Sequence, residues 1–322
     1  MATKTTTAPR VDSGPGLRSL RLGLGQIAPK LGDVAANLDM HLDMLEAARS
    51  QSAELVLFPE LSLVGYQLRD LVPDVAQTRR TPQFTRLVQA SHGLSLGFGF
   101  VEEAADHRFF NSYAFCEDGR LVSVHRKAYL PTYGLFEEGR LYAAGEHIRA
   151  FDTKLGRFGI VICEDLWHPS AMYILSQDGA ELVVAAAASP LRGADVGEEH
   201  SNIDVWATAL KMYSQLFGCF VVLVNRVGFE DGLSFWGGSR VLAPGGRSSF
   251  EAPLLEPGLF TCEIDWNEVR RYRVSDPTLR SERLDLTLSE LKRIQRDRIV
   301  RGPEADAGDA RKPGVERRGG RP

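Results

Sequence analysis

Three separated segments of the sequence supply a thiol, a carboxylate and an ammonium group. The segments are LVLFPELSLVGY, which contains Glu60, HRKAYLPTYGLFEEGR, which contains Lys127, and FGIVICEDLWHP, which contains Cys163. A thiol with the ordinary pKa of about 8.5 is only a few per cent thiolate at neutral pH, so it needs a base. A carboxylate in a closed pocket can be that base, and a nearby ammonium can stabilise a negative oxygen. Together the segments predict a cysteine nucleophile that cleaves amide-type C–N bonds without a metal.

Each of these residues follows a strand-like pattern, which favours a common location at the rim of a sheet. Cys163 ends the apolar run GIVIC and precedes a predicted helix, so a sharp turn there would expose its sulfur. Such a turn would also leave the backbone N–H of Glu164 available to an oxyanion. Taken singly, each residue has an ordinary alternative: a buried core cysteine, a solvated loop carboxylate for Glu60 and a surface lysine for Lys127.

Helical and strand patterns alternate along the chain and predict a single α/β domain. Two segments that begin with AELV, at 53–60 and 180–190, each follow a predicted helix. This repetition is either a common α/β pattern or the sign of a pseudo-symmetric fold with two sheets and helices outside both. The predicted helices cover about 34–50, 169–178, 200–217 and 285–300, and the predicted strands include 20–27, a hairpin that turns at Asp118-Gly119, and the segments LSLGFGFVEE, FGIVICED and CFVVLVNRVG.

Bulk composition is that of a globular enzyme. The 322 residues are 43% hydrophobic and 25% charged, and the net charge of -4 gives no reason to expect nucleic acid as a partner. The four cysteines are far apart and lack CxxC spacing, which argues against zinc or disulfides and for a reducing compartment. No apolar run approaches the roughly 20 residues that span a bilayer. We therefore expect a cytoplasmic location, disordered tails at 1–16 and 301–322, and a hydrolase domain with a C-terminal helix at 17–300.

The three segments, in this order and spacing, resemble the carbon-nitrogen hydrolase (nitrilase) superfamily over about residues 18–275. The resemblance implies an α-β-β-α sandwich that forms homodimers or larger homo-oligomers. It also implies that Glu60 is the general base, Lys127 the oxyanion-stabilising lysine and Cys163 the nucleophile. Glu138 corresponds to the second glutamate of the family, which positions the lysine and the substrate. Its neighbour Glu137 is the alternative, but the spacing to the downstream Gly145 favours Glu138.

Within the superfamily, four segments resemble the glutaminase domain of glutamine-dependent NAD synthetases: KAYLPTYGLFEEGR, VICEDLWHP, AAASPLRG and NRVGFEDGLSFWGGS. This resemblance implies that Tyr133 and Ser189 contact the substrate. Glu164, whose N–H the expected turn at Cys163 leaves available, is the third candidate for substrate binding. Arg192 is a candidate for binding an amino-acid carboxylate. The sequence contains no pyrophosphate-loop motif of the SGGxDS type, so we expect no ATP-using synthetase domain in this chain.

The leading expectation is an amidase that acts on a small linear amide through a cysteine thioester, releases ammonia and a carboxylic acid, and needs neither metal nor cofactor. One alternative is a glutaminase subunit that delivers ammonia to a separate synthetase. Hydrolysis of an N-carbamoyl compound or a nitrile would use the same residues. A non-catalytic scaffold is disfavoured because all four catalytic positions are intact.

Overall fold

The computed structural model describes residues 19–191 and 202–301, apart from the side chains of the last two residues. These residues form two compact units, one that ends at Leu279 and one that begins at Arg280. The predicted tail at 1–16, the candidate Arg192 and, apart from Arg301, the predicted tail at 301–322 lie outside the described residues. Arg301 itself is the last residue of a helix.

The strands of the described residues are numbered along the chain. They are β1 (Ser19–Gln26), β2 (Leu55–Leu57), β3 (Ser95–Glu103), β4 (Phe109–Glu117), β5 (Arg120–Arg126), β6 (Phe151–Thr153), β7 (Gly156–Ile162), β8 (Leu182–Ala187), β9 (Phe220–Asn225), β10 (Val227–Glu230), β11 (Leu233–Trp236), β12 (Arg240–Leu242), β13 (Ser248–Glu251) and β14 (Gly258–Asp265).

The helices of the same residues are α1 (Val34–Ser50), α2 (Val72–Val75), α3 (Pro82–Ala90), α4 (Glu138–Leu141), α5 (Pro169–Gln177), α6 (Asn202–Phe217), α7 (Asn267–Ser275), α8 (Thr278–Ser281) and α9 (Leu284–Arg301). Two further segments, Arg69–Leu71 and Cys163–Trp167, are 3-10 helices.

Two six-stranded sheets dominate the part of the chain that the structure describes. Their strand orders are β14-β1-β2-β3-β4-β5 and β13-β12-β9-β8-β7-β6. In each sheet three central strands are parallel, β1 to β3 in one and β7 to β9 in the other, and antiparallel strands flank them. The two AELV segments supply β2 and β8, the middle strands of these parallel sets, so the repeated pattern reflects the pseudo-symmetric arrangement that the sequence suggested.

Alternating side chains of the central strands build three apolar layers, because successive residues of a strand face opposite sides of the sheet. Leu55, Leu57, Ile160 and Ile162 belong to the core between the two sheets. Val56 belongs instead to a core that contains side chains of α1 and α3. Side chains of α5 and α6 form the third core on the outer face of the second sheet. This order of layers is the predicted α-β-β-α sandwich.

Most predicted elements agree with the structure, but the strand expected over 53–60 is shorter. It ends at Leu57, because Pro59 has no N–H to offer a neighbouring strand and the backbone turns at Glu60. Helix α6 agrees with the helix predicted over 200–217 from Asn202 onwards.

The second unit contains helix α9, which the sequence predicted at about 285–300. Its apolar side chains, among them Leu286, Leu288, Leu291 and Ile294, are largely exposed. The range 17–300 for the hydrolase domain stays a prediction. No helix among the described residues is long and apolar enough to cross a membrane.

Candidate active site

Glu60 lies in a tight turn that follows β2 and passes close to β3. The next residue, Leu61, has a positive φ of 48°. A Cβ atom on Gly99 of β3 would lie 2.2 Å from the Leu61 nitrogen and 2.6 Å from the Pro59 carbonyl oxygen. Only a glycine at this position therefore lets the turn approach the strand so closely.

The Glu60 carboxylate is buried and accepts hydrogen bonds from three donors. Oε1 accepts from Nζ of Lys127 and from Nδ2 of Asn111, both at 2.8 Å. Oε2 accepts from the backbone N–H of Ala188, just beyond β8, also at 2.8 Å. The donors come from both sheets, and each of them can stabilise a negative oxygen.

Lys127 follows β5 and is fully buried between two carboxylates. Its Nζ lies 2.8 Å from Oε1 of Glu60 and 2.7 Å from Oε1 of Glu138. Burial alone would lower the pKa of Lys127, but the charges of Glu138 and Glu60 raise it well above its ordinary value. The ammonium is thus charged at neutral pH. Since it has three N–H groups, two such contacts leave a third N–H for another acceptor.

Gly145 allows the loop after α4 to pack against the backbone that carries Lys127. Its N–H donates to the Lys127 carbonyl oxygen at 2.7 Å. A Cβ on Gly145 would lie 2.1 Å from the Arg126 carbonyl oxygen, so a side chain would displace this backbone. The downstream glycine that favoured Glu138 in the sequence therefore contacts the lysine segment directly.

Glu138 is buried beside Lys127, whereas its neighbour Glu137 is mostly exposed and pairs with Arg140. Oε1 of Glu138 also accepts from the hydroxyl of Tyr66 at 2.5 Å. Burial raises the pKa of Glu138 to about 7; Lys127 opposes this rise and the charge of Glu60 adds to it. The structure brings Glu138, not Glu137, to the lysine.

Cys163 is half-buried at the turn between β7 and the 3-10 helix Cys163–Trp167, as the sequence predicted. Its φ is +44°, a left-handed conformation that costs on the order of 1–3 kcal/mol for a residue with a side chain. Burial and the charge of Glu60 raise the pKa of the Cys163 thiol well above its ordinary value, and the charge of Lys127 lowers it. At rest the group is therefore a thiol, and it would need a base before its sulfur could act as a nucleophile.

Three residues were predicted to contact the substrate, and the structure shows the partners of each. The hydroxyl of Tyr133, a half-exposed side chain, donates to Oε2 of Glu164 at 2.8 Å, so these two residues contact each other. Ser189 is buried after β8, next to the residue whose N–H binds Glu60. Its hydroxyl oxygen accepts from the indole N–H of Trp206 at 3.0 Å.

Sequence reasoning missed several residues of this site, among them Asn111, Tyr66 and the backbone of Ala188. Asn111 opens the segment NSYAF and Tyr66 ends LVGY, so neither position has a spacing that marks it. The sequence also gave no reason to single out Asp165, yet this carboxylate is fully buried.

Within residues 19–191 and 202–301, no group of three or more His, Cys, Asp or Glu side chains could hold a metal ion. All four cysteines lie in the described residues and are free thiols.

The fold and the sequence assign the chain to a family. Residues 21–274 match the family described as carbon-nitrogen hydrolase, which is most of the chain. The protein belongs to this family and is an enzyme that hydrolyses C–N bonds. The solved carbon-nitrogen hydrolase from Helicobacter pylori G27 shares the fold, with a TM-score of 0.77 and 24% identity over 86% of this chain and 99% of that one.

Two further comparisons show similarity to glutamine-dependent NAD synthetases. The glutamine-dependent NAD(+) synthetase of Acinetobacter baylyi is 29% identical over 285 residues, 88% of this chain and 51% of that protein. The solved glutamine-dependent NAD+ synthetase of Acinetobacter baumannii has a TM-score of 0.72 and 30% identity over 78% of this chain and 47% of that one. The chain spans about half the length of these relatives and matches their nitrilase-like part.

Proposed function

We propose that the protein is a thiol amidase that releases ammonia from a small linear amide through a thioester on Cys163. The observation that carries the proposal is the buried ion cluster in which Lys127 bridges Glu60 and Glu138. The charges of all three groups act on the Cys163 thiol. A thiol, a carboxylate that can act as a base and a cation that keeps its proton thus lie close enough to act together.

In the first half of the reaction, Glu60 takes the thiol proton while the sulfur attacks the amide carbonyl carbon. Transfer and attack occur together, because burial and the Glu60 charge disfavour a free thiolate. The third N–H of Lys127 stabilises the oxyanion. The N–H of Glu164 is the second donor, because the first N–H groups of a helix have no partner within that helix. When the C–N bond breaks, Glu60 gives its proton to the departing nitrogen, and ammonia leaves.

In the second half, a water molecule attacks the thioester carbonyl carbon and Glu60 takes its proton. The C–S bond breaks, the carboxylic acid leaves and Glu60 returns the proton to the sulfur. Glu60 therefore acts as base, then acid, in each half. Lys127 keeps its proton throughout, as its raised pKa requires.

The test is ammonia release from a panel of glutamine, asparagine, short aliphatic amides, N-carbamoyl amino acids and nitriles. Cys163→Ala should abolish release while the fold survives. Cys262→Ala is the matched control, because Cys262 is another partly buried thiol but lies in β14. Full activity in Cys163→Ala would refute the proposal, whereas release from carbamoyl compounds or nitriles alone would replace the amide as substrate.

A second candidate function is that of a glutaminase that supplies ammonia to a synthetase, which the identity to glutamine-dependent NAD synthetases favours. It predicts weak glutamine hydrolysis by the protein alone and stimulation when a separate NAD synthetase and its substrates are added. Glutamine hydrolysis that is unchanged by any added synthetase would argue against this candidate.

We also propose a homodimer or larger homo-oligomer, which light scattering coupled to size-exclusion chromatography would measure. A monomeric mass at micromolar concentration would contradict it. The cytoplasmic location stays a prediction.

A further inference from the structure

Asp165, the second residue after the nucleophile, binds the chain on the other side of Cys163. Its Oδ2 accepts from the backbone N–H of Ile162 at 2.9 Å, so the carboxylate bridges the residue with the strained φ. The same oxygen lies 2.8 Å from Nε2 of His125 in β5. A non-glycine residue keeps a left-handed backbone conformation only where its surroundings hold it there. The hydrogen bond from Ile162 to Asp165 helps to hold Cys163 in this conformation.

The other oxygen of Asp165 binds the segment that carries the lysine. Oδ1 accepts from the backbone N–H of Ala128 at 3.0 Å and of Tyr129 at 2.9 Å. These are the two residues that follow Lys127. An ionised carboxylate has about four acceptor sites, so the four donors fill it.

The carboxylate is held as an anion. Burial alone would raise the pKa of Asp165, but hydrogen bonds from His125 and from backbone N–H groups, with the charge of His125, lower it below the ordinary value. The bonds are therefore charge-assisted, which makes them shorter and stronger than neutral ones. One buried anion thus joins the turn of the nucleophile, β5 and the lysine segment.

We propose that Asp165 is a positioning residue that fixes Cys163 relative to Lys127. It contacts neither substrate nor reacting atoms but holds the backbone on both sides of the nucleophile and just beyond the cation. The two residues follow strands of different sheets, and the hydrogen bonds of Asp165 connect the two segments. This inference rests on the proposed roles of Cys163 and Lys127.

The main test is Asp165→Asn. The asparagine side chain has one acceptor oxygen in place of two, and its NH₂ group cannot accept a hydrogen bond. Because backbone N–H groups bind both oxygens of Asp165, at least one of them loses its partner. Because a misplacement of about 1 Å can cost roughly 10²-fold in rate, we expect kcat for the amide to fall about 10²-fold with little change in KM. Asp178→Asn is the matched control: its carboxylate also accepts a backbone N–H, that of Ala150, at 2.7 Å, but joins other elements.

A second measurement reports the reactivity of the Cys163 thiol in the absence of substrate. The rate at which iodoacetamide inactivates the enzyme, measured against pH, reports the thiolate of Cys163. Since the charge of Lys127 lowers the pKa of this thiol, displacing the two groups should move the inactivation profile to higher pH. A merely structural role would lower the melting temperature and leave this profile in place.

His125→Phe and His125→Gln keep the proposal testable where Asp165→Asn does not fold. In His125→Phe the phenyl ring cannot donate a hydrogen bond to Asp165, so we expect kcat to fall roughly tenfold. In His125→Gln the side-chain amide can still donate to Oδ2 of Asp165, so this variant should retain more activity. Wild-type kcat and an unshifted profile in folded Asp165→Asn, or in both His125 variants, would overturn the inference. If Cys163→Ala retained activity, the proposed function itself would fail, so the two failures are distinguishable.

Discussion

Lys127→Met is the sharpest perturbation of the proposed mechanism, because the lysine is buried and its Nζ contacts both carboxylates at 2.8 and 2.7 Å. Methionine fills a similar volume but leaves Glu60 and Glu138 without their cation. Removing one partner of a buried ion pair costs about 3–5 kcal/mol. At roughly 2–4 °C per kcal/mol for a domain of this size, the melting temperature should fall by about 6–20 °C. Loss of the oxyanion donor should lower kcat about 10²–10³-fold.

The double variant Lys127→Met with Glu138→Gln separates these two effects. It removes one of the two buried negative charges, so it should regain part of the lost melting temperature and none of the lost kcat. The assays are thermal unfolding and ammonia release on the same preparations. Two results would refute the reasoning: a Lys127→Met protein that melts like wild type, or a double variant that recovers wild-type turnover.

Three further predictions concern the surroundings of this cluster. Because the pKa of Glu138 is raised to about 7, the folded protein keeps a proton there that the unfolded chain loses, so this group's contribution to stability should decline between about pH 4.5 and pH 7. In Glu138→Gln the free energy of unfolding, measured with denaturant at several pH values, should lack that decline. An equal dependence on pH in the variant and the wild type would contradict the assignment to Glu138. Asn111→Ala removes the 2.8 Å bond to Glu60, and kcat/KM for ammonia release should fall roughly 10–100-fold; an unchanged value would exclude Asn111 from the site. Gly99→Ala places a methyl carbon 2.2 Å from a backbone nitrogen of the Glu60 turn, so both activity and stability should drop, the latter by about 1–3 kcal/mol. Gly23→Ala, whose nearest contact is a leucine methyl at 3.1 Å, is its control and should stay near wild type in both assays.

The local elements could be read from the sequence because burial leaves a recognisable pattern of apolar residues. The continuous apolar runs in FGIVIC and LVVAAA predicted buried strands, and the structure has β7 and β8 there. The predicted end of the strand at Cys163 was also confirmed, because the change from apolar to polar residues marks the rim of the sheet. The shortened β2 shows the limit of such reading: apolar character continued to Phe58, but Pro59 set the end of hydrogen bonding.

The pairings within the candidate site could not be read in the same way. Glu60 and Lys127 are 67 residues apart, and no local pattern shows that their side chains meet. The choice of Glu138 over Glu137 rested on resemblance and spacing; the structure gives the physical reason, since one carboxylate is buried against Lys127 and the other is exposed.

By itself the sequence determined which chemistry was possible and which elements would carry it. Residue type sets the reactivity of a side chain, and the pattern of apolar residues indicates which helices and strands are buried. Only the tertiary structure decided how the groups are held. The left-handed backbone at Cys163, the close approach of Gly99 to the Glu60 turn and the four donors around Asp165 all depend on the packing of two sheets. Such contacts arise from the distances between separate segments, which one-dimensional patterns do not contain.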